Sequence, residues 1–173
     1  MITTLDPSYQ MEDETTSLAP RLRSLAGATV GLLDNNKKNV GTFYFYLEQI
    51  LRDEYHVADV KRLRKENRSA PAEPEVLAEL AKCDAVVSAI GDCGSCSSCS
   101  LYDAIAVERL GVPAAAVMTS AFVETARTMG EMCGFPDYPF VVIEHPVSSN
   151  TKDVIAAKAR LAAERVVGLL VES

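Results

Sequence analysis

The sequence predicts an α/β three-layer sandwich, with a five-stranded, mostly parallel sheet of flavodoxin-like or Rossmann-like type. Three observations predict it. Five short apolar runs alternate with stretches of helical periodicity. Most of these runs are apolar throughout rather than alternating, as strands covered on both faces must be. Each run also gives way to a polar or small-residue turn, where a strand-to-helix loop is due.

Taken in order, Thr29–Leu33 is the first apolar run, followed by the polar turn Asp34-Asn35-Asn36-Lys37-Lys38-Asn39. Val40, Phe43, Tyr44, Leu47, Ile50 and Leu51 then recur at helical spacing, with Asn39 suited to the N-cap. His56–Val60 reads as the second strand, and the basic stretch Lys61–Arg68 as a loop. A short helix over Glu75–Leu80 has Pro74 in its first turn. Ala85–Ile90 is the third strand, and the helix after it is expected from Ser100 or Leu101 to Leu110, stopped by Gly111. Ala114–Met118 is the fourth strand, ending at Thr119-Ser120. The next helix carries Phe122, Val123, Ala126 and Met129 and stops near Gly134. Phe140–Ile143 is the fifth strand, ending at Glu144-His145-Pro146. A last helix begins near Asn150 as N-cap, with Asp153 in its first turn and Ile155, Ala159, Ala162, Val166 and Leu169 on its buried face.

The organisation expected is a polar N-terminal arm over residues 1–25 and a single α/β domain over 26–173. Glu12-Asp13-Glu14 reads as a solvated acidic run, and Leu18–Arg21 as a segment lying across a neighbouring surface of this chain or of a partner subunit. At 173 residues the chain is long enough to bury a core without disulfides or metal. A net charge of −7 argues against nucleic acid or an anionic membrane as partner, since both need a basic face. No apolar run approaches the roughly 20 residues that span a bilayer. No secretory signal pattern is visible, and five cysteines, three of them crowded into one loop, do not form a spaced disulfide framework. A cytoplasmic protein with reduced thiols is the expectation.

In an open parallel sheet, ligands meet the chain beyond the carboxyl ends of the strands. The polar residues at those ends are Asp34, Asn35 and Lys37; Asp92, Cys93 and Cys96; Thr119 and Ser120; and Glu144 and His145. Cys93 and Cys96 form a C-x-x-C pair just ahead of a helix, whose partial positive charge favours thiolate over thiol. One of the two sulfurs attacks an electrophile and the other resolves the product. Ser95 and Ser97 supply donors to substrate, and Gly94 lets the backbone turn tightly. His145 is a candidate acid or base. Cys83 and Cys133 read as small buried hydrophobes, His56 as structural, Lys37 and Lys38 as a solvated turn, and Glu124 as a helix-dipole residue.

Cys93, Cys96 and Cys99 leave a rival use open, a metal- or cluster-binding carrier, although a cluster normally takes a fourth ligand. No G-x-G-x-x-G or G-x-x-x-x-G-K-[ST] stands at a strand-to-helix junction, which removes the usual sequence support for a dinucleotide or nucleoside triphosphate. No cofactor is assigned, and with Cys83 and Cys133 poorly placed as a fourth ligand no metal is assigned either. A flavin held by Ser/Thr-rich loops stays compatible with the fold.

Gly91-Asp92-Cys93-Gly94-Ser95-Cys96 resembles the central motif of the UGSC family, named for selenocysteine-Gly-Ser-Cys. Leu18-Ala19-Pro20-Arg21, Val30–Asn35, Tyr102-Asp103-Ala104 and Glu144-His145-Pro146 are similar to the same family's pattern. The resemblance implies that Cys93 stands where relatives carry selenocysteine, the residue chosen for a strong nucleophile or easy redox cycling. It also implies a distant similarity to the selenoprotein B subunits of glycine-type reductases, which form a selenoether during reductive cleavage of a carbon–heteroatom bond.

The functional expectation is therefore a thiol-dependent enzyme, an oxidoreductase or one that breaks or forms a carbon–heteroatom bond in a small organic substrate. Cys93 is its nucleophile or redox thiol, Cys96 the resolving or supporting thiol, and His145 the third catalytic group. Asp34, Asn35, Asp92, Ser95, Ser97, Thr119 and Ser120 are the substrate-binding candidates. A homo-oligomer or a partner reductase subunit is the macromolecular company expected, with a non-catalytic subunit of such a complex as a further alternative.

Overall fold

The computed structural model describes residues 17–172. The acidic run Glu12-Asp13-Glu14 and most of the polar arm lie outside the described residues. The elements are β1 (Thr29–Asp34), α1 (Val40–Tyr55), β2 (Asp59–Arg64), α2 (Pro74–Leu80), β3 (Ala85–Gly91), α3 (Gly94–Arg109), β4 (Ala114–Thr119), a 3₁₀ turn (Ser120–Phe122), α4 (Val123–Met132), β5 (Phe140–Ile143) and α5 (Lys152–Leu170). The strands pair in the order β2-β1-β3-β4-β5, parallel throughout. This is the three-layer α/β sandwich that the strand–helix alternation implies, in the flavodoxin-like strand order.

Strand alternation sorts the apolar side chains into two cores. Val30, Leu32, Val87, Ile90 and Val117 pack against α1 and α5 on one face. Leu33, Val86, Ala116 and Met118 pack against α2, α3 and α4 on the other. Successive residues of a strand point to opposite faces, so a strand buried on both sides must be apolar throughout. Fully burying each large aliphatic or aromatic side chain contributes about 1.5–3 kcal/mol. Gly31 lets α2 come close, because a Cβ there would stand 2.9 Å from Leu80 Cδ2 and 3.1 Å from Cys83 Sγ.

Four local expectations need correction, and a fifth, Asn39 as N-cap, is met in position but not by a capping bond. The second strand is Asp59–Arg64: it keeps Asp59 and Val60 of the expected run and continues into the stretch read as a basic loop, and His56 instead ends α1 in a left-handed conformation (φ 55°). As an edge strand, β2 has one neighbour, so its charged side chains reach solvent or partners without burial. Arg62 pairs with Glu48 and Arg64 with Asp34. The third helix starts at Gly94, about two turns earlier than expected, which brings Cys96 and Cys99 onto it. Asn39 occupies the N-cap position of α1 in a left-handed conformation without a side-chain capping bond. Its amide donates instead to Val147 O and Asn150 O, 3.0 Å each. Thr151, not Asn150, precedes the first residue of α5, and Leu170 rather than Leu169 closes that helix's buried face.

Leu18–Arg21 lies across a surface of its own chain. Ala19 N and Arg21 Nη1 both donate to the buried Glu108 carboxylate, at 2.6 and 2.8 Å, and Ala114 N donates to it at 2.8 Å. Among the described residues no helix is long and apolar enough to cross a membrane.

Candidate active site

The order β2-β1-β3 makes the chain leave β1 in one direction and return on its other side. The loops after β1 and β3 therefore diverge and leave a crevice between them. Two side chains bridge it: Asn35 Nδ2 donates to Ile90 O at 3.0 Å, and Lys37 Nζ donates to Asp92 O at 2.8 Å. Lys37, read from sequence as a solvated turn, is thus anchored against the cysteine loop. The β3–β4 register shifts between Val87 and Ile90, just before that loop. The Tyr44 hydroxyl lies between two strand carbonyls there, 2.6 Å from Ser88 O and 3.1 Å from Leu33 O, and donates to one of them.

Cys93 is the N-cap of α3, in extended conformation (φ −161°, ψ 167°). Its sulfur takes the place that a Ser or Asp oxygen usually fills, accepting from Cys96 N at 3.4 Å. Ser95 Oγ lies 3.8 Å from the same sulfur, and Ser97 Oγ donates to Cys93 O at 2.7 Å. Burial by itself would raise the Cys93 thiol. The Cys96 thiol and amide, the Ser95 hydroxyl and the Lys37 ammonium outweigh it and hold the thiol below its ordinary value. Cys96 is fully buried, and burial together with the adjacent Cys93 sulfur pushes it up to about 11. Cys99, half-buried one turn on, is raised by burial. All five cysteines are free thiols, and Cys83 and Cys133 are buried.

The exits of β3, β4 and β5 meet at Asp92. Its carboxylate accepts from Val147 N and Ser148 N, 3.0 Å each, and lies 3.7 Å from Lys37 Nζ. Burial raises it, but these donors and the Ser148 hydroxyl bring it below the ordinary aspartate value. His145 Nδ1 stands 3.1 Å from Asp92 Oδ1 and 3.1 Å from Thr119 Oγ1. Thr119 in turn donates to Gly91 O at 3.1 Å. His145 N donates to Ser120 Oγ at 3.3 Å, and the imidazole meets Phe122 edge-on, centroids 5.5 Å apart.

The tertiary structure thus brings Cys93, Cys96, Ser95, Ser97, Asp92, Thr119, Ser120 and His145 to adjoining strand exits. Their availability differs. Ser95 and Ser120 are exposed, whereas Ser97, Thr119 and Asp92 are buried and already bonded within the protein. Asn35 is fully buried, with Oδ1 unpartnered. Asp34 turns away from the thiols. It accepts from Asn36 N and Arg64 Nη2 and lines a separate cavity of about 280 Å³ with Gly41, Tyr44 and Arg62.

Two buried lysines escaped the reading from sequence. Lys158 Nζ donates to Glu144 O (2.8 Å), Pro146 O (2.6 Å) and Asn150 Oδ1 (2.6 Å), gripping the backbone on both sides of His145. Its signal was its position on the apolar stripe of α5, beside Ile155, Ala159 and Ala162. Lys65 forms a fully buried pair with Asp103 of α3 at 2.6 Å. Lys65 Nζ also donates to Ala70 O, and Asp103 accepts from Ala72 N. This staples the 65–72 loop beside the first turns of α3, where Ser69 Oγ meets Ser95 Oγ at 3.2 Å.

Among the described residues, no group of three or more His, Cys, Asp or Glu side chains is arranged to hold a metal ion. A comparison with curated proteins finds no match. The UGSC family profile matches residues 3–172, nearly the whole chain, including the capping cysteine and the three strand exits around it, so this protein belongs to the UGSC family.

Proposed function

We propose that the protein is a thiol-dependent enzyme acting on a small organic electrophile, with Cys93 as nucleophile and Cys96 as resolving thiol. The observation that carries this reading is the division of labour between the two sulfurs. Cys93 is partly exposed and held toward thiolate by the Cys96 amide and its neighbours, while Cys96 is buried and held as a thiol.

A reductive cycle uses both states. The Cys93 thiolate forms a sulfur–carbon bond as a carbon–heteroatom bond breaks and the heteroatom leaves with its electron pair. Cys96 then attacks the Cys93 sulfur. A sulfur–sulfur bond forms, the sulfur–carbon pair passes to carbon, and carbon takes the proton that Cys96 gives up. The substrate carbon gains two electrons and the cysteine pair loses two. An external thiol or dithiol returns the disulfide to two thiols. A carbon beside a carbonyl suits the second step, because it can carry the pair as an enolate. His145, at the edge of the crevice, serves proton transfer.

The test is intact-protein mass spectrometry after brief exposure to a haloacetamide, with peptide mapping of the adduct. The expected result is first modification at Cys93, lost in Cys93→Ser. Equal labelling of that variant, or first modification at Cys99, overturns the reading.

A further inference from the structure

We infer that Asp92 and Thr119 are positioning residues that hold His145 as its Nδ1–H tautomer, leaving Nε2 as the proton-accepting atom of the site. This goes beyond the thiol reading and does not depend on it.

The inference follows from counting protons around one nitrogen. The Thr119 hydroxyl has a single proton, and it is given to Gly91 O at 3.1 Å. Toward His145 Nδ1, also 3.1 Å away, Oγ1 can only accept. The second neighbour of Nδ1 is Asp92 Oδ1, at 3.1 Å. That carboxylate receives two backbone N–H groups and has Lys37 Nζ nearby, so it too is an acceptor. Two acceptors against one ring nitrogen leave a single consistent arrangement, in which Nδ1 carries the proton. The neutral ring then has its lone pair on Nε2, which has no hydrogen-bond partner among the described residues and belongs to a side chain 36% exposed.

The surroundings allow the ring little other choice. Asp92 holds the amides of Val147 and Ser148, and Lys158 holds the carbonyls of Glu144 and Pro146. Asn39 holds the carbonyls of Val147 and Asn150. Three elements therefore clamp the 144–150 loop, and Phe122 lies edge-on to the ring. The arrangement also gives Asp92 and Thr119 a task other than the substrate contact expected from sequence: both are buried, and their polar atoms are engaged within the protein. A ligand group that meets Nε2 of the neutral ring is a donor, such as a substrate O–H or N–H, or water.

The chain has two histidines, His56 and His145, so His56→Asn leaves one imidazole to observe. Long-range ¹H–¹⁵N correlation at a pH where the ring is neutral distinguishes the protonated from the bare ring nitrogen. The expected spectrum has a protonated Nδ1 and a bare Nε2, the reverse of the preference of free histidine. Thr119→Val and Asp92→Asn are each expected to lower the Nδ1–H to Nε2–H ratio by about tenfold, the worth of one hydrogen bond, with Thr119→Ser restoring it. A protonated Nε2 in the His56→Asn protein overturns the inference without any further variant. An unchanged ratio in a folded Thr119→Val or Asp92→Asn protein overturns that residue's assignment. None of these spectra requires Cys93 to be a nucleophile, so failure here and failure of the thiol reading are separate results.

Discussion

The amide of Cys96 donates to the sulfur of Cys93 across 3.4 Å, so one contact both caps α3 and lowers the thiol. Capping by sulfur is weaker than capping by a hydroxyl or carboxylate oxygen, because sulfur accepts poorly as a neutral thiol and much better as a thiolate. The helix start and the charge state of Cys93 are therefore coupled.

The first prediction concerns pH. The folded-state value of Cys93 lies below that of an unfolded thiol, so thiolate is present in the native protein at pH values where a free cysteine is still protonated. Alkylation of Cys93 should reach half its maximal rate below the ordinary thiol value of about 8.5. By linkage, the same depression contributes stability that is fully present above the unfolded value and is lost as pH falls through the folded one. Alkylation rates followed by mass spectrometry from pH 6 to 10 check the midpoint. A midpoint at or above that of glutathione contradicts it.

Cys96→Ala removes the thiol donor to Cys93 but keeps the amide donor. The Cys93 midpoint should rise toward the ordinary value without reaching it, and the Cys93–Cys96 disulfide cannot form. With a turnover substrate in hand, Cys93→Ser should lower kcat by at least about a hundredfold, as loss of a nucleophile does. Steady-state kinetics and a mass assay under mild oxidation read these two effects.

Breaking the Lys65–Asp103 pair should be costly. Both side chains are fully buried, and Lys65→Met would leave the Asp103 carboxylate without its cation. Removing one partner of such a pair costs about 3–5 kcal/mol. The double change Lys65→Met/Asp103→Leu should recover part of the loss, since neither variant side chain carries an unpaired charge. Urea unfolding of the two variants beside the parent protein measures it.

Lys158→Met should lower stability by about 1–3 kcal/mol, because it deprives the carbonyls of Glu144 and Pro146 of their donor. Loosening of the same loop should broaden the His145 ring resonances while leaving Cys93 alkylation unchanged. Thermal unfolding and NMR line widths separate the two effects.

Gly91→Ala should perturb the site from beneath. A Cβ at this position would meet the sulfur of Met118 and stand 2.6 Å from Ser97 Oγ and 2.8 Å from Ser97 Cα. The last is helix backbone and cannot swing away. Overpacking of this kind costs about 1–3 kcal/mol, and here it would push the first turn of α3 off the end of β3. Unfolding measurements together with the Cys93 alkylation rate check both consequences.

The alternation of apolar runs and helical periods by itself determined the layers, the parallel sheet and the placement of the cysteine loop at the exit of a buried strand. That pattern is local, and burial on both faces demands it. It placed Cys93, Cys96 and His145 among the polar residues at strand exits, and the resemblance to a family motif marked Cys93 among the thiols. Three features became visible only in the structure. The edge position of β2 let a charged stretch be a strand. Closure of α3 onto the Cys93 sulfur made a loop of Gly, Ser and Cys helical against its composition. Convergence of the β3, β4 and β5 exits turned Asp92 and Thr119 inward onto His145, and set Lys158 beneath the same loop. The strand edge and the convergence of exits depend on partners far apart in the chain, 55 residues between Asp92 and Val147 for one, whereas the Cys93 cap spans three residues. Local periodicity carries no record of where such partners meet, because a buried polar group is satisfied by whichever donor the packing brings within reach.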